Sequence, residues 1–354
     1  MADVLSPLVC APAPSPLPAA ASPRVEAYVQ GGPGVRRRAL DPSLSCVLPC
    51  RNEARNLVRL LPRLLNEVGA LVQRWEVIVV DDGSNDESAS VLAEWARVDG
   101  VRIVQLSRNF GKEAALSAGL QASAGDIVVT MDSDGQHEPE LIATMLDRWR
   151  DDADVAYAQR QDRSDEGLLK RAGSRAFYRL LNRGDRFEVP DGAGDFRLMD
   201  RAVVDALLAL PERNRFMKGL YAWVGFKAVA VPYTPAPRLN GRSHFSPARL
   251  LRLSIDGLTA FTTWPLRAVS LVGFVLAAAA FAYGGYLTLS YLIYGHEVGG
   301  WTTIVVALML FSGIQLVSIG VVGEYVARIF EEAKQRPLFI VKRELGRGLK
   351  SGRE

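Results

Sequence analysis

Acidic side chains cluster at three points of the sequence, each directly after a short hydrophobic run. Glu53 follows the first run, Asp81 and Asp82 follow the second, and Asp132 and Asp134 follow the fourth. One small residue separates Asp132 from Asp134, a spacing that lets two carboxylates meet one hard divalent cation. A single cluster of this kind is more often a turn or a helix cap. Three clusters in one chain favour a common site over three unrelated turns.

The hydrophobic runs alternate with longer amphipathic segments. The runs are rich in Val and Ile and cover 44–49, 76–80, 101–106, 126–131 and 154–158, with helix-like segments at 53–72, 86–98, 111–123 and 138–150. This order predicts repeated βαβ units. Continuous apolar strands are typical of a parallel, doubly wound sheet that is buried on both faces. Ligands bind such sheets beyond the carboxyl ends of the strands, which is where the acidic clusters fall.

Charge and composition exclude several classes of protein. The 42 Lys and Arg residues against 39 Asp and Glu residues give a net charge of +3, which argues against a general nucleic-acid binder. Three cysteines cannot form a disulfide framework and indicate a reducing compartment, with Cys46 and Cys50 expected to be buried. The sequence has neither a G-x-G-x-x-G after the first strand nor a G-x-x-x-x-G-K, so no dinucleotide cofactor or P-loop is expected.

The two ends of the chain differ from the middle. Residues 1–43 carry eight prolines without a helical or strand period, which predicts a disordered tail, with a signal peptide as the alternative. Near the other end, 268–294 and 302–323 carry no charge, and each exceeds the roughly 20 residues that cross a bilayer core. We expect a transmembrane hairpin, although two buried helices of a soluble protein would be equally apolar.

Charges around the hairpin predict its orientation. Basic residues flank both spans on the outside, whereas the link 295–301 has no Lys or Arg, so the positive-inside rule places both ends in the cytoplasm. The preceding segment 246–264 interleaves apolar residues with Arg249, Arg252 and Asp256. This pattern favours an amphipathic helix lying in the membrane interface, and a surface helix of the soluble domain is the alternative.

The motifs taken together resemble the family 2 glycosyltransferases of the GT-A fold. The resemblance is to their membrane-attached polyprenyl-phosphate members, which include dolichyl-phosphate mannose synthase and bacterial undecaprenyl-phosphate glucosyltransferases. It covers residues 44–340 and rests on VLPCRNE, VVDDGS, SRNFGKEAAL, MDSDGQHEPE, GDFRLMDR, RFMKGLYAWVGF and the terminal hairpin. The implied fold is an α/β GT-A domain, Rossmann-like with a mainly parallel sheet.

The resemblance also implies roles for residues. The nucleotide sugar is expected at Pro49, Glu53, Val80, Asp82, Lys112, Met131, Asp132, Ser133, Asp134 and Asp191. A Mg²⁺ or Mn²⁺ ion is expected on Asp132, Asp134 and Gln136, and the acceptor phosphate on Arg160, Arg171, Arg238 and His244. The sequence departs from the family where Arg51 replaces an aromatic residue and where Asn240 and His244 replace basic residues.

The acceptor chemistry predicts the mechanism. A phosphate monoester is already largely dianionic at neutral pH, so its attack on a sugar needs no general base. The expected catalytic residues are Asp132, Asp134, Arg160 and Asp195. We expect Asp195 to orient the sugar, cap a helix or hold Arg197, and not to remove a proton. Asp191 is a comparable candidate for the substrate pocket.

The predicted organisation is a tail at 1–43, a catalytic domain at 44–245, the interfacial helix at 246–264, the hairpin at 265–325 and a basic cytoplasmic segment at 326–354. The predicted reaction is inverting transfer of a hexose from UDP-glucose to undecaprenyl phosphate at the inner membrane, to make a lipid-linked sugar donor for cell-envelope glycosylation. The expected assembly is a homo-oligomer such as a tetramer. Alternatives are another sugar (mannose, galactose, a hexosamine or aminoarabinose), a processive polysaccharide synthase, disfavoured because Q-x-x-R-W is missing, and a non-catalytic membrane scaffold.

Overall fold

The computed structural model describes residues 38, 41–160, 193–213, 215–234, 264–294 and 300–349. Its first half contains the predicted alternation of strands and helices. The elements are β1 (Leu44–Cys50), α1 (Ala54–Leu71), β2 (Trp75–Asp81), α2 (Ser88–Trp95), β3 (Val101–Leu106), α3 (Lys112–Ala122), β4 (Ile127–Thr130), α4 (Leu141–Arg150) and β5 (Val155–Arg160). Each boundary lies within three residues of the sequence-based expectation.

The second half completes the sheet and adds two long helices. The elements are β6 (Ala193–Asp200), α5 (Arg201–Ala209), α6 (Met217–Trp223), β7 (Ala228–Tyr233), α7 (Trp264–Tyr294), α8 (Trp301–Ala333) and β8 (Val341–Gly346). Asp200 caps α5, since its carboxylate accepts a hydrogen bond from the backbone N–H of Ala202. The interfacial helix predicted over 246–264 lies outside the described residues, apart from Trp264, at which α7 begins.

The eight strands form one mixed, mostly parallel sheet in the order β7-β5-β6-β4-β1-β2-β3-β8. Strands β4, β1, β2 and β3 are parallel neighbours, which confirms the predicted α/β fold class. Strand β5 does not pair with β4, because β6 lies between them and runs antiparallel to both. Strand β6 follows the segment 161–192, which lies outside the described residues, and its insertion could not be predicted from the local pattern of the first five strands.

Both faces of the sheet are buried, as the continuous Val and Ile runs predicted. Helix α1 buries Leu57, Leu61, Leu64 and Val68 against one face, and their spacing is that of an amphipathic helix. Each such side chain contributes about 1.5–3 kcal/mol of burial free energy. Helix α3 packs on the other face so closely that a Cβ on Gly119 would collide with the side chain of Val47. Cys46 and Cys50 are free and buried, as expected.

The two C-terminal helices coincide with the predicted spans. Residues Ala268–Ile293 of α7 and Thr303–Ala333 of α8 are long and apolar enough to cross a membrane. Their large apolar side chains are exposed in the chain, with Phe274 at 73% and Phe281 at 83% exposure. Exposed apolar surface of this extent marks a contact with lipid or protein. The two helices therefore indicate membrane association.

Strand β8 was not expected from the sequence, which assigned it to a basic C-terminal segment. It pairs antiparallel with β3 at the edge of the sheet. An ion pair of 2.6 Å joins Arg102 of β3 to Glu344 of β8, and the N–H of Ser107 donates to the carbonyl of Ile340 at 2.9 Å. The chain thus returns from α8 to the catalytic sheet and covers an edge that would otherwise be unpaired.

Candidate active site

The carboxyl ends of β1, β2 and β4 meet at one edge of the sheet, as the acidic clusters predicted. The hydroxyl of Ser133, after β4, donates to the carbonyl of Pro49 in β1 at 2.9 Å. The N–H of Asp82, after β2, donates to the carbonyl of Cys50 at 3.0 Å. These two contacts hold the three strand ends together, so that the loops after them form one continuous surface.

The loop after β1 is fixed to the loop after β2. Asn52 has a φ of +58°, in the left-handed region that Asn tolerates better than most residues. Its N–H donates to the Ser84 hydroxyl at 3.0 Å, and its side-chain oxygen accepts from the N–H of Asn85 at 2.9 Å. The N–H of Glu53 donates to the Ser88 hydroxyl at 3.0 Å. The loop that carries Glu53 is therefore set by backbone and hydroxyl contacts.

Asp82 supports the loop that begins α3. Its buried carboxylate accepts hydrogen bonds from the N–H groups of Phe110 at 2.7 Å and Gly111 at 2.9 Å. Burial raises the pKa of Asp82, and these two N–H groups partly offset that effect. Gly83 has a φ of +66° and lies so close to the backbone of Arg108 and Asn109 that a Cβ would collide with it. Asp82 thus positions the residues before Lys112.

Three of the predicted nucleotide-sugar residues are placed by the sheet itself. The side chains of Val80 and Met131 are buried, at 0% and 1% exposure, and Pro49 is the residue before the last one of β1. Such residues shape the floor of the site through backbone and packing, and their side chains offer little surface to a ligand. Ser133 is likewise buried and uses its hydroxyl within the protein.

Lys112 joins two carboxylates from different strands. Its ammonium lies 2.7 Å from Oδ1 of Asp132, after β4, and 2.6 Å from Oδ2 of Asp195 in β6. The Thr130 hydroxyl donates to the backbone carbonyl of Asp195 at 2.6 Å, which fixes β6 against β4 at this point. Burial opposes the charged form of Lys112, but the two carboxylates outweigh it and raise its pKa above the ordinary value. The sequence placed Lys112 near the nucleotide sugar, yet it gave no sign of this bridge.

The charge of Asp195 is stabilised by its neighbours. Burial alone would raise the pKa of Asp195, but the Lys112 and Lys218 ammonium groups outweigh burial and lower it to about 2. Its Oδ1 atom is buried and accepts no hydrogen bond within the described part of the chain. The site therefore keeps a charged carboxylate with one acceptor oxygen unused.

Glu113 follows Lys112 in the sequence, and its pKa is raised, whereas that of Asp195 is lowered. Burial and the nearby Asp195 raise the pKa of Glu113 to about 8, although Lys112, Lys218 and the N–H of Met217 oppose the change. Its Oε2 atom is buried without a hydrogen-bond partner among the described residues. Glu113 is thus largely protonated at neutral pH. Nothing in the local sequence marks Glu113, because the burial of its carboxyl group arises from contacts made in the fold.

Asp134 and Gln136 lie in the turn after β4. The N–H of Gln136 donates to Oδ1 of Asp134 at 3.0 Å. His137 follows and is buried against the rings of Phe196 and Tyr233, with ring centroids 5.0 and 5.6 Å away. Burial lowers the pKa of His137 below its ordinary value, which favours the neutral ring at neutral pH. This packing anchors the end of the turn.

The donor set of this turn fits a divalent cation. Among the described residues, no group of three or more His, Cys, Asp and Glu side chains is placed to hold a metal ion. Asp132, Asp134 and the Gln136 amide are hard oxygen donors, and Mg²⁺ is usually held by one or two carboxylates with the remaining positions given to water and substrate phosphates. A cation already contacts Asp132, namely the Lys112 ammonium.

Arg197 is held by aromatic rings and the backbone. Its guanidinium lies 4.1 Å from the ring centroid of Tyr221 and 5.3 Å from that of Tyr157, and its Nε donates to the Gly194 carbonyl at 2.9 Å. Both the stacking and the hydrogen bond stabilise the strand that carries Asp195. The contact made directly by the Asp195 side chain is with Lys112.

The predicted acceptor residues are only partly described. Arg160 ends β5 and lies opposite Tyr233 of β7 in the parallel register. Asp191, Arg171, Arg238 and His244 lie outside the described residues. Their roles stay predictions.

Comparison with known proteins identifies relatives along most of the chain. Residues 45–208 match the model of glycosyl transferase family 2. A glycosyltransferase of Synechocystis is 40% identical over 299 residues, covering 84% of this chain and 94% of that one. The bactoprenol glucosyl transferase of Shigella phage SfV is 40% identical over 270 residues, covering 76% and 88%. Among solved structures, a mannosyltransferase of Pyrobaculum calidifontis in complex with GDP-Man and Mn²⁺ is 18% identical, with a TM-score of 0.44 and coverage of 83% and 87%.

Proposed function

The chain belongs to the family 2 glycosyltransferases, and we propose that it transfers glucose from UDP-glucose to polyprenyl phosphate at a membrane surface. The observation that carries this proposal is the acidic turn of Asp132 and Asp134, joined through Lys112 to Asp195, in a chain that also has two apolar C-terminal helices. The named glucosyl transferase relatives act on bactoprenol, and their likeness covers 76% of this chain and 88% of their own length. An acceptor with a lipid tail accounts for those helices.

The acidic turn would hold the donor diphosphate through a divalent ion. Asp132, Asp134 and Gln136 supply the oxygen ligands, and a bound Mg²⁺ or Mn²⁺ would stabilise the negative charge of the departing nucleoside diphosphate. Lys112 must share Asp132 with that ion, since its ammonium contacts Asp132 in the present structure.

The proposed reaction takes place at C1 of glucose, where the acceptor phosphate replaces the nucleoside diphosphate. An oxygen of the acceptor phosphate attacks C1 of glucose, the bond from C1 to the diphosphate oxygen breaks, and the diphosphate leaves with the bonding electrons. Attack from the face opposite to the leaving group inverts C1. Since the acceptor phosphate is largely dianionic at neutral pH, the protein need not remove a proton from it.

The surroundings of Asp195 support this mechanism without a base. A carboxylate whose pKa is lowered to about 2 is a weak proton acceptor. Its Oδ1 atom, which has no hydrogen-bond partner in the described part of the chain, can instead accept a hydrogen bond from a sugar hydroxyl. We therefore assign Asp195 to sugar orientation, with Lys112 holding the carboxylate in place. Asp191 is proposed for the same pocket from the sequence.

The remaining assignments follow the sequence resemblance. Arg160, Arg171, Arg238 and His244 would contact the acceptor phosphate, and Glu53 and Asp82 would contact or position the nucleotide. The catalytic domain and both termini would face the cytoplasm at the inner membrane, since the 295–301 link lacks Lys and Arg. A homo-oligomer, such as a tetramer, is part of the same proposal.

Mass spectrometry of the lipid product tests the proposal. Purified full-length protein in detergent is given undecaprenyl phosphate, Mg²⁺ or Mn²⁺, and one nucleotide sugar at a time from a panel of UDP- and GDP-sugars. We expect one hexose added to the lipid phosphate from UDP-glucose, and no product from the Asp134→Asn variant. A product from a different sugar would overturn the donor assignment. Absence of any lipid product, with the protein folded, would overturn the proposed reaction.

A further inference from the structure

A cavity lies beside Lys112, on the side of the chain where α8 ends. Its volume is about 260 Å³, and it is lined by Phe110, Gly111, Lys112, Glu113, Ala114, Arg213, Arg215 and Leu338. Three parts of the chain meet there: the start of α3, the loop between α5 and α6, and the segment between α8 and β8. Lys112 belongs both to this cavity and to the bridge with Asp195, so the cavity adjoins that bridge.

Arg215 is the unusual group in its wall. The residue is 8% exposed, and its Nη2 and Nε donate to the carbonyls of Leu210 at 2.8 Å and Glu212 at 3.2 Å. Its Nη1 atom is buried with no hydrogen-bond partner among the described residues. A buried guanidinium with an unused donor is costly unless an acceptor completes it. The loop therefore holds a cation in place for a ligand that brings its own oxygen atoms.

Three of the four ionisable side chains in the wall are basic, namely Lys112, Arg213 and Arg215. The ammonium of Lys112 is balanced by Asp132 and Asp195. Glu113, whose pKa is raised to about 8 by burial and by Asp195, is largely uncharged at neutral pH and can donate a proton to a hydrogen bond. Arg213 and Arg215 add two guanidinium groups to the wall, and the Glu212 carboxylate partly offsets the charge of Arg215. Paired donors on a guanidinium match the oxygens of a phosphate.

Size and position decide which phosphate fits. Pockets for drug-sized ligands have about 300–1,000 Å³, so a cavity of about 260 Å³ suits a headgroup better than a whole nucleotide sugar. Leu338 belongs to the segment that follows α8, and the backbone N–H of Arg213 donates to Oε1 of Glu332, in the last turn of α8, at 2.9 Å. The cavity thus lies where the apolar hairpin meets the catalytic domain.

We propose that this cavity, with Arg213 and Arg215 as its cations, receives the phosphate of the lipid acceptor next to the sugar site. The inference rests on the proposed function and adds to it, because the sequence placed the acceptor phosphate on Arg160, Arg171, Arg238 and His244 and gave no role to Arg213 or Arg215. A lipid whose tail lies along α7 and α8 presents its phosphate at the end of α8, and Lys112 lies between that phosphate and Asp195.

Arg213 is the residue to change, because its contact with α8 uses the backbone N–H, which alanine retains. We compare Arg213→Ala, Arg213→Lys and Arg160→Ala with a control, Arg59→Ala, at an exposed position of α1. Steady-state transfer is measured with undecaprenyl phosphate varied at saturating UDP-glucose, and then with the roles of the substrates exchanged. We expect Arg213→Ala to raise the KM for the lipid about tenfold or more, with the KM for UDP-glucose unchanged. Arg213→Lys should recover part of the loss, and Arg59→Ala should match the parent.

A binding experiment separates this inference from the proposed reaction. Native mass spectrometry of the full-length protein in detergent counts bound undecaprenyl phosphate without turnover, and inorganic phosphate and undecaprenol serve as competitors. We expect Arg213→Ala to bind less lipid phosphate than the parent and Arg59→Ala. Displacement of the lipid by inorganic phosphate but not by undecaprenol shows that the phosphate is recognised. Displacement by undecaprenol alone shows that only the tail is bound and overturns the inference. A raised KM for UDP-glucose only, or unchanged lipid binding in Arg213→Ala, overturns the inference even where the parent transfers glucose.

Discussion

The charge state of Glu113 gives a pH dependence of folding that can be worked out in sign and size. Glu113 is half-buried in the first turn of α3, with its Oε2 atom fully buried, and its pKa is raised from 4.5 to about 8. In the unfolded chain it loses its proton near pH 4.5, whereas in the folded chain it keeps the proton until about pH 8. Between these values the folded state holds one more proton than the unfolded state, so stability falls as the pH rises.

The slope of this effect approaches 1.4 kcal/mol for each pH unit within the window. From about pH 6.0 to 7.5, the Glu113 term therefore removes about 2 kcal/mol. For a domain of roughly 200 residues this corresponds to about 4–8 °C in melting temperature. The Glu113→Gln variant carries a neutral side chain of the same shape, so its stability lacks this pH-dependent contribution. We expect its melting temperature to rise relative to the parent by that amount over the same pH interval.

The measurement is thermal unfolding of the full-length protein in detergent, followed by intrinsic fluorescence at pH 6.0, 6.7 and 7.5. Glu94→Gln, at an exposed position of α2, is the matched control and should change in parallel with the parent. Parallel changes in Glu113→Gln and the parent would mean that Glu113 is ionised throughout the interval. The burial argument for Glu113 would then be wrong.

Three further predictions concern the reaction and the topology. Asp134→Asn is expected to lower turnover by at least about a hundredfold, because it removes charge from a hard-cation site, and full activity of this variant in EDTA would refute the metal assignment. The parent's rate should rise with pH through about 6 to 7, as the acceptor phosphate ionises, and Asp195→Asn should keep the shape of that profile even at a lower rate. If the ionisation disappears from the Asp195→Asn profile, a protein base acts in the reaction. A cysteine at Gly299 should react with an impermeant thiol reagent added to intact cells, and labelling only after lysis would contradict the proposed orientation.

Local sequence patterns were enough to predict those strands and helices whose hydrophobic residues follow a clear period. Continuous Val and Ile runs gave β1 to β5, and uncharged stretches gave α7 and α8. Strand β8 was not predicted because half of its six residues, Val341–Gly346, are charged and it pairs at an exposed edge, where no apolar period is required. The position of β6 between β4 and β5 was not predicted either, because pairing between strands that are distant in the sequence leaves no local signal.

The same contrast holds within the site. Asp132 and Asp134 could be predicted because both follow one strand and lie two residues apart. The bridge of Lys112 to Asp132 and Asp195 could not be, because its three members come from the start of a helix and the ends of two strands. The cavity of Arg213 and Arg215 depends on Leu338, more than one hundred residues away along the chain. Motifs thus identify residue types, whereas burial and partners emerge only from the fold.

Strand β8 also limits where the membrane can lie relative to the active site. Seven residues, 334–340, join the end of α8 to the start of β8. A fully extended chain spans at most about 3.6 Å per residue, so the edge of the catalytic sheet lies within roughly 30 Å of the end of α8. The contact of Glu332 with the N–H of Arg213 makes that separation shorter still for the loop beside the cavity. In the proposed site, a lipid phosphate therefore need not travel far from the bilayer to reach Lys112.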